Sequence, residues 1–122
     1  MIRGTYLTLI AVLAATSWTA HGMAGPINPA HHPHPDQAQA VHEAEHAVDH
    51  AWEVYHRAAL GGTIASPALQ VEIEQHLHEA RTLVTEAQEA AERGERRRVK
   101  HLVREINSHT SYAIKRSKER KQ

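Results

Sequence analysis

The stretch SPALQVEIEQHLHEARTLVTEAQEAAERG, residues 66–94, carries a helix start, a helix body and a helix stop in one run. Ser66 reads as an N-cap whose hydroxyl can accept a backbone N–H, and Pro67 suits the first helical position, where its missing N–H is no loss. Gly94 reads as the C-terminal stop. Between them Leu69, Ile73, Leu77, Ala80, Val84, Ala87 and Ala91 recur at spacings of four and three, the period of one helix face.

The flanking sequence repeats the pattern. Upstream, Val41, Ala44, Val48, Ala51, Tyr55 and Ala58 form a second stripe, and nothing breaks the chain between Asp36, read as an N-cap, and Gly61-Gly62. That predicts a first helix of about 24 residues. Downstream, Val99, Val103, Ile106, Ala113 and Ile114, with Leu102 beside them, predict a third helix from about Glu95 to near Lys118, followed by a basic tail. No alternation of strand type occurs anywhere, so the fold class is all-α, an up-down-up three-helix bundle over residues 36–122. Many seam positions are alanine and the only aromatics there are Trp52, Tyr55 and Tyr112. Little apolar area is available, which predicts a marginal, close-packed bundle for which dimerisation or a bound ligand would add stability.

The N-terminus reads as a secretory signal over residues 1–22. Arg3 supplies the positive region, residues 6–15 an apolar run too short to span a bilayer, and Ala20-His21-Gly22 the small residues of a cleavage site after Gly22, with the bond after Ala24 as the alternative. Periplasmic or secreted placement follows. Prolines at 26, 29, 33 and 35 predict an extended, flexible Pro/His-rich segment over residues 23–35. The chain has no cysteine, so export brings no disulfide, and thiolate zinc sites, iron–sulfur clusters and c-type haem are excluded. With Met23 the one methionine left after processing, a thioether Cu(I) site is disfavoured as well.

Twelve histidines in 122 residues direct attention to metal chemistry. In residues 41–56, His42, His46, Asp49, Glu53 and His56 recur at four, three, four and three, and at roughly 100° per residue they fall within about 40° of one line. That line lies nearly opposite the apolar stripe. An amphipathic helix needs a solvated face in any case. A second cluster, His31, His32 and His34 in HHPHPD, tips the reading toward ligands, because imidazole and carboxylate suit divalent Cu(II), Ni(II) and Zn(II). Histidines at i and i+4 can chelate one ion, and His42/His46 and His46/His50 both qualify. A third ligand two further turns along is roughly 12 Å away by axial rise, too far for bonds of about 2 Å. The expected sites are overlapping pairs completed by water, a partner chain or the HHPH segment.

His76 and His109 fall on or beside the seams, where a lone histidine is most simply a satisfied polar group at the core edge. His78 and His101 fall on outer faces. With turns centred near residues 63 and 94, residue 50 stands level with about residues 76 and 112. This predicts that His50, His76 and His109 converge on a single Zn(II) or Cu(II) between the helices. Glu43–His46 and Glu53–His56 have the Glu-x-x-His spacing of di-iron bundles, but both lie on one helix and point outward. No nucleophile triad, phosphate loop or HExxH motif is present, so no enzymatic activity is expected.

Formal charge is zero overall, but from Asp36 to Glu92 eleven acids face only Arg57 and Arg81, while from Arg93 onward eleven bases face Glu95, Glu105 and Glu119. The basic end can draw the third helix onto the other two, or dock it on an anionic partner or membrane surface, with the histidine face then a pH-responsive polar surface. Nucleic-acid binding by base stacking is not expected, since Tyr112 alone interleaves the bases.

The segments VHEAEHAVDHAWEVYH (41–56), QHLHEA (75–80) and EAQEAAERGERRRVKHL (86–102) resemble the small metal-binding protein family, exported helical bundles built from short Ala-, Glu- and His-rich repeats. The resemblance implies periplasmic binding of several divalent ions, copper above all and then nickel and zinc, by surface histidines of a four-helix bundle. Position by position it assigns metal binding to His42, His46, His50 and His56, then to His76, His78, His101 and His109. This chain departs from the pattern in its three longer helices, in the few histidines of its second and third helices and in its basic C-terminus.

Overall fold

The computed structural model describes residues 26–120. Three helices, α1 (Pro35–Leu60), α2 (Pro67–Glu92) and α3 (Arg96–Ser117), pack pairwise into an all-α three-helix bundle, with no strand among the described residues. α2 begins as its sequence dictates: Ser66 Oγ accepts the Leu69 N–H at 3.1 Å and Pro67 fills the first turn. It ends at Glu92, and Gly94 takes the left-handed conformation, φ 70°, that turns the chain into α3.

Cross-helix partners fix the topology. Glu45 meets Gln88, Asp49 meets Arg81 and Tyr55 meets Glu74, an order that runs α1 and α2 antiparallel. Glu72 meets Tyr112, His76 meets His109 and Glu86 meets Arg98, so α3 reverses again. The path is up-down-up.

Two expectations before and at the start of α1 are corrected. Asp36 is not the N-cap; His34 holds that position without a side-chain hydrogen bond, and Pro35 opens the helix because a fixed φ and a missing N–H suit it to the first turn. Asp36 therefore lies inside the first turn, where an acid complements the helix dipole, and pairs with Arg96 at 2.5 Å. The preceding segment is not extended throughout. Pro29–His31 forms a short 3-10 helix, begun by Asn28, whose side chain accepts the Ala30 N–H at 3.0 Å, and Ile27 packs against the core. The signal-type stretch 1–22 and its cleavage site lie outside the described residues.

The core forms two connected clusters. One gathers Val41, Val48, Leu83, Val84, Val99 and Ile106 with intervening alanines; the other gathers Tyr55, Ile64, Leu69, Ile73, Leu77 and Ala113, and Trp52 packs against both. The α1 and α2 seams are buried as their spacing predicts, apart from a half-buried Ala58 at the end of α1. On α3 the seam is shifted: Leu102 is buried where Val103 and Ile114 are half-buried, and the row continues through Thr110 and Ser117. Those hydroxyls face the core because each is satisfied locally, Thr110 donating to the Asn107 carbonyl at 3.1 Å and Ser117 to the Ala113 carbonyl at 2.7 Å.

Candidate functional site

The outward face of α1 carries its ligand-type residues as the helical period requires, but it is not a row of five free ligands. His42 and His46 lie one turn apart with their Nε2 atoms 3.1 Å from each other and their rings edge to face. His42 is half-buried, its Nδ1 4.0 Å from a Glu45 oxygen, and His46 is exposed. Asp49 is bound by Arg81 of α2 at 2.8 Å, and Glu53 by Arg57 one turn on at 2.7 Å. Both carboxylates of the row thus face a guanidinium. His50 is exposed and does not join His46; it lines an open groove with Val54, Arg57 and the C-terminal residues Ser117 and Lys118. His56 is exposed and stands against the Trp52 ring, 5.2 Å between centroids, while His78 of α2 approaches the same indole at 5.1 Å.

The HHPH segment does not complete a pair on α1. His32 Nδ1 accepts the His34 N–H at 2.9 Å, and the His34 ring lies so close to Gly94 that a Cβ there would fall 2.8 Å from its Nε2. The segment is therefore held against the α2–α3 turn. His31 ends the 3-10 helix, exposed. Among the described residues no group of three or more histidines and carboxylates gathers where one ion would sit.

The predicted convergence of His50, His76 and His109 is half realised. His76 of α2 and His109 of α3 meet across the interface, Nδ1 to Nδ1 at 2.7 Å. His50 stays out for two reasons. The Asp49–Arg81 and Tyr55–Glu74 contacts put His76 nearly level with Tyr55 rather than with His50, and His50 faces the α1/α3 groove on another side of the bundle. The support of the pair comes from residues outside the ligand-type set of the sequence. Tyr112 stacks on the His76 ring at 4.2 Å and its hydroxyl donates to Glu72, which raises the Tyr112 ionisation, aided by desolvation. Two signals were present: Glu72 lies one turn before His76, and Tyr112 nearly one turn after His109. His101, on an outer face, has its Nε2 3.4 Å from Glu105. Comparison with protein-family models, curated proteins and solved structures gives no match.

Proposed function

We propose that the protein is a non-enzymatic, exported binder of divalent transition metals, Cu(II) foremost with Ni(II) and Zn(II) as further guests, acting through histidines on the surface of α1. The observation that carries this reading is the His42–His46 pair. Two imidazole nitrogens bound to one ion at about 2.0–2.1 Å stand about 2.9 Å apart at a right angle and about 3.4 Å apart at a tetrahedral angle. The pair stands at 3.1 Å, between these limits, on an accessible face. Water fills the remaining positions, so exchange is fast and affinity modest, which suits buffering more than storage. His50 and His56 lie on the exposed part of the same helix and bind more weakly. The resemblance of residues 41–56 to the small metal-binding proteins supports the same chemistry.

Calorimetric titration of the full chain with Cu(II) near neutral pH tests the reading. Binding should exceed one ion per chain and fade on acidification, since a ligating imidazole must be deprotonated. His42→Gln with His46→Gln should remove the most accessible ion with helicity unchanged. Unaltered stoichiometry and affinity in that double variant would reject the assignment.

A second reading rests on α3. Arg96 and Arg98 are engaged by Asp36 and Glu86, whereas Arg97, Lys100 and Arg104 form an exposed row that makes no ion pair among the described residues. Such a row can dock on an anionic membrane surface. Vesicles rich in anionic lipid should then bind the chain at low salt and release it as salt rises, and Arg97→Glu with Lys100→Glu and Arg104→Glu should abolish the binding. Indifference of the wild type to such vesicles would end this reading.

A further inference from the structure

We propose that His76 and His109 hold one divalent transition-metal ion across the α2/α3 interface, in a site separate from the α1 face, and that its occupancy ties bundle stability to metal. The proposal deepens the reading above and shares with it only the class of ion.

The two rings come from facing helices, and α2 and α3 share the most extensive contact in the bundle. Both histidines are half-buried, with ring centroids 5.0 Å apart and planes tilted by 46°. The His76 ring is set by its neighbours. Tyr112 stacks on His76 with planes tilted by 37°, Glu72 accepts the Tyr112 hydroxyl, and the Arg116 guanidinium lies 5.9 Å from the Tyr112 ring centroid. With His76 held this way, the two Nδ1 atoms face each other at 2.7 Å. An ion accepting both lone pairs at a right angle requires them to separate by only about 0.2 Å, and a tetrahedral ion by about 0.7 Å, at bond lengths of about 2.0–2.1 Å. The spacing favours the tetragonal preference of Cu(II) or Ni(II) over Zn(II). Coordination places the remaining ring protons on both Nε2 atoms, and water completes the ion's shell.

Geometry also separates this pair from His42/His46. Those two residues belong to one helix and stay neighbours whenever that helix forms. His76 and His109 are 33 residues apart and meet only in the folded bundle. An ion at this pair therefore binds the native state and not the unfolded chain, and stabilises it by mass action.

Thermal melts of the full chain with and without Cu(II) provide the test. With the ion about a hundredfold above its dissociation constant, the wild-type midpoint should rise on the order of ten degrees. His76→Gln and His109→Gln should each remove most of that rise, while His42→Gln with His46→Gln should retain most of it. If either seam variant folds poorly, the wild type alone answers by NMR: stoichiometric Cu(II) should broaden the ring resonances of His76, His109 and Tyr112. A midpoint that rises equally in the seam variants overturns the proposal, as does broadening confined to α1 histidines, which would leave the α1 reading standing. No rise in the wild type, with rings of the pair unbroadened, shows a hydrogen-bonded clasp only and overturns it too.

Discussion

Tyr55 joins a buried ring to a hydroxyl that donates to Glu74 across α1 and α2. Burial first, and then the Glu74 carboxylate, push its ionisation from the ordinary 10 up to about 12. In the unfolded chain the phenol loses its proton at the ordinary pH, so the native state holds a proton that the unfolded state has released. Stability from this group is complete below pH 10, falls as pH rises from 10 to about 12, and falls no further above that. Denaturant melts at stepped pH should show the decline in the wild type and a shallower one in Tyr55→Phe; parallel curves for the two proteins would exclude the shift. At this scale the apolar faces were legible, because helical spacing assigns each side chain a direction. Val41, Ala44, Val48, Ala51 and Tyr55 are buried as that spacing predicts, and His42 and His46 meet one turn apart. Reach was not legible. Nothing in the spacing of α1 says that Arg81 crosses from α2 to Asp49, and an error of one turn in matching helix heights was enough to group His50 with His76.

The ends of the helices are set by single residues, and two glycines allow their contributions to be separated. Gly62 and Gly94 both have left-handed backbone, φ 67° and 70°, which a residue with a Cβ adopts at a penalty of about 1–2 kcal/mol. A Cβ on Gly62 meets nothing within 4 Å, whereas one on Gly94 meets the His34 ring. Gly62→Ala should show the backbone penalty alone, and Gly94→Ala a larger loss, because the ring must also swing away from the turn. Adding His34→Ala should bring the two losses together in chemical denaturation; an unchanged gap would mean that the ring contact plays no part. Ser66→Ala should destabilise by about 1 kcal/mol through the lost Leu69 N–H bond. Ser66-Pro67 and Gly94 were readable because the chemistry of each end is local. The cap at Asp36 is not local in this sense, because Pro35, one residue earlier, competes for the first helical position and wins it by its fixed φ.

Across the molecule, the acidic middle and basic end of the sequence resolve in part into contacts between helices, Arg96 with Asp36 and Arg98 with Glu86, all on exposed side chains. Exposed pairs add little, so the stability of the bundle rests on its core. Eight of the twenty buried apolar residues are alanines, which let helices approach closely but remove little apolar area from water. The few large side chains carry a disproportionate share. Leu77 is fully buried among Tyr55, Leu69 and Ile73, while Leu60 is 90% exposed at the end of α1. Leu77→Ala should therefore remove about 2–5 kcal/mol, a large fraction of the 5–15 kcal/mol typical of native domains, and Leu60→Ala should stay within about 0.5 kcal/mol of wild type. Urea unfolding checks the pair of values. The midpoint of Leu77→Ala should fall steeply with the slope retained, and equal, small shifts for the two substitutions would show that the alanine seams, not the large side chains, hold the three helices together.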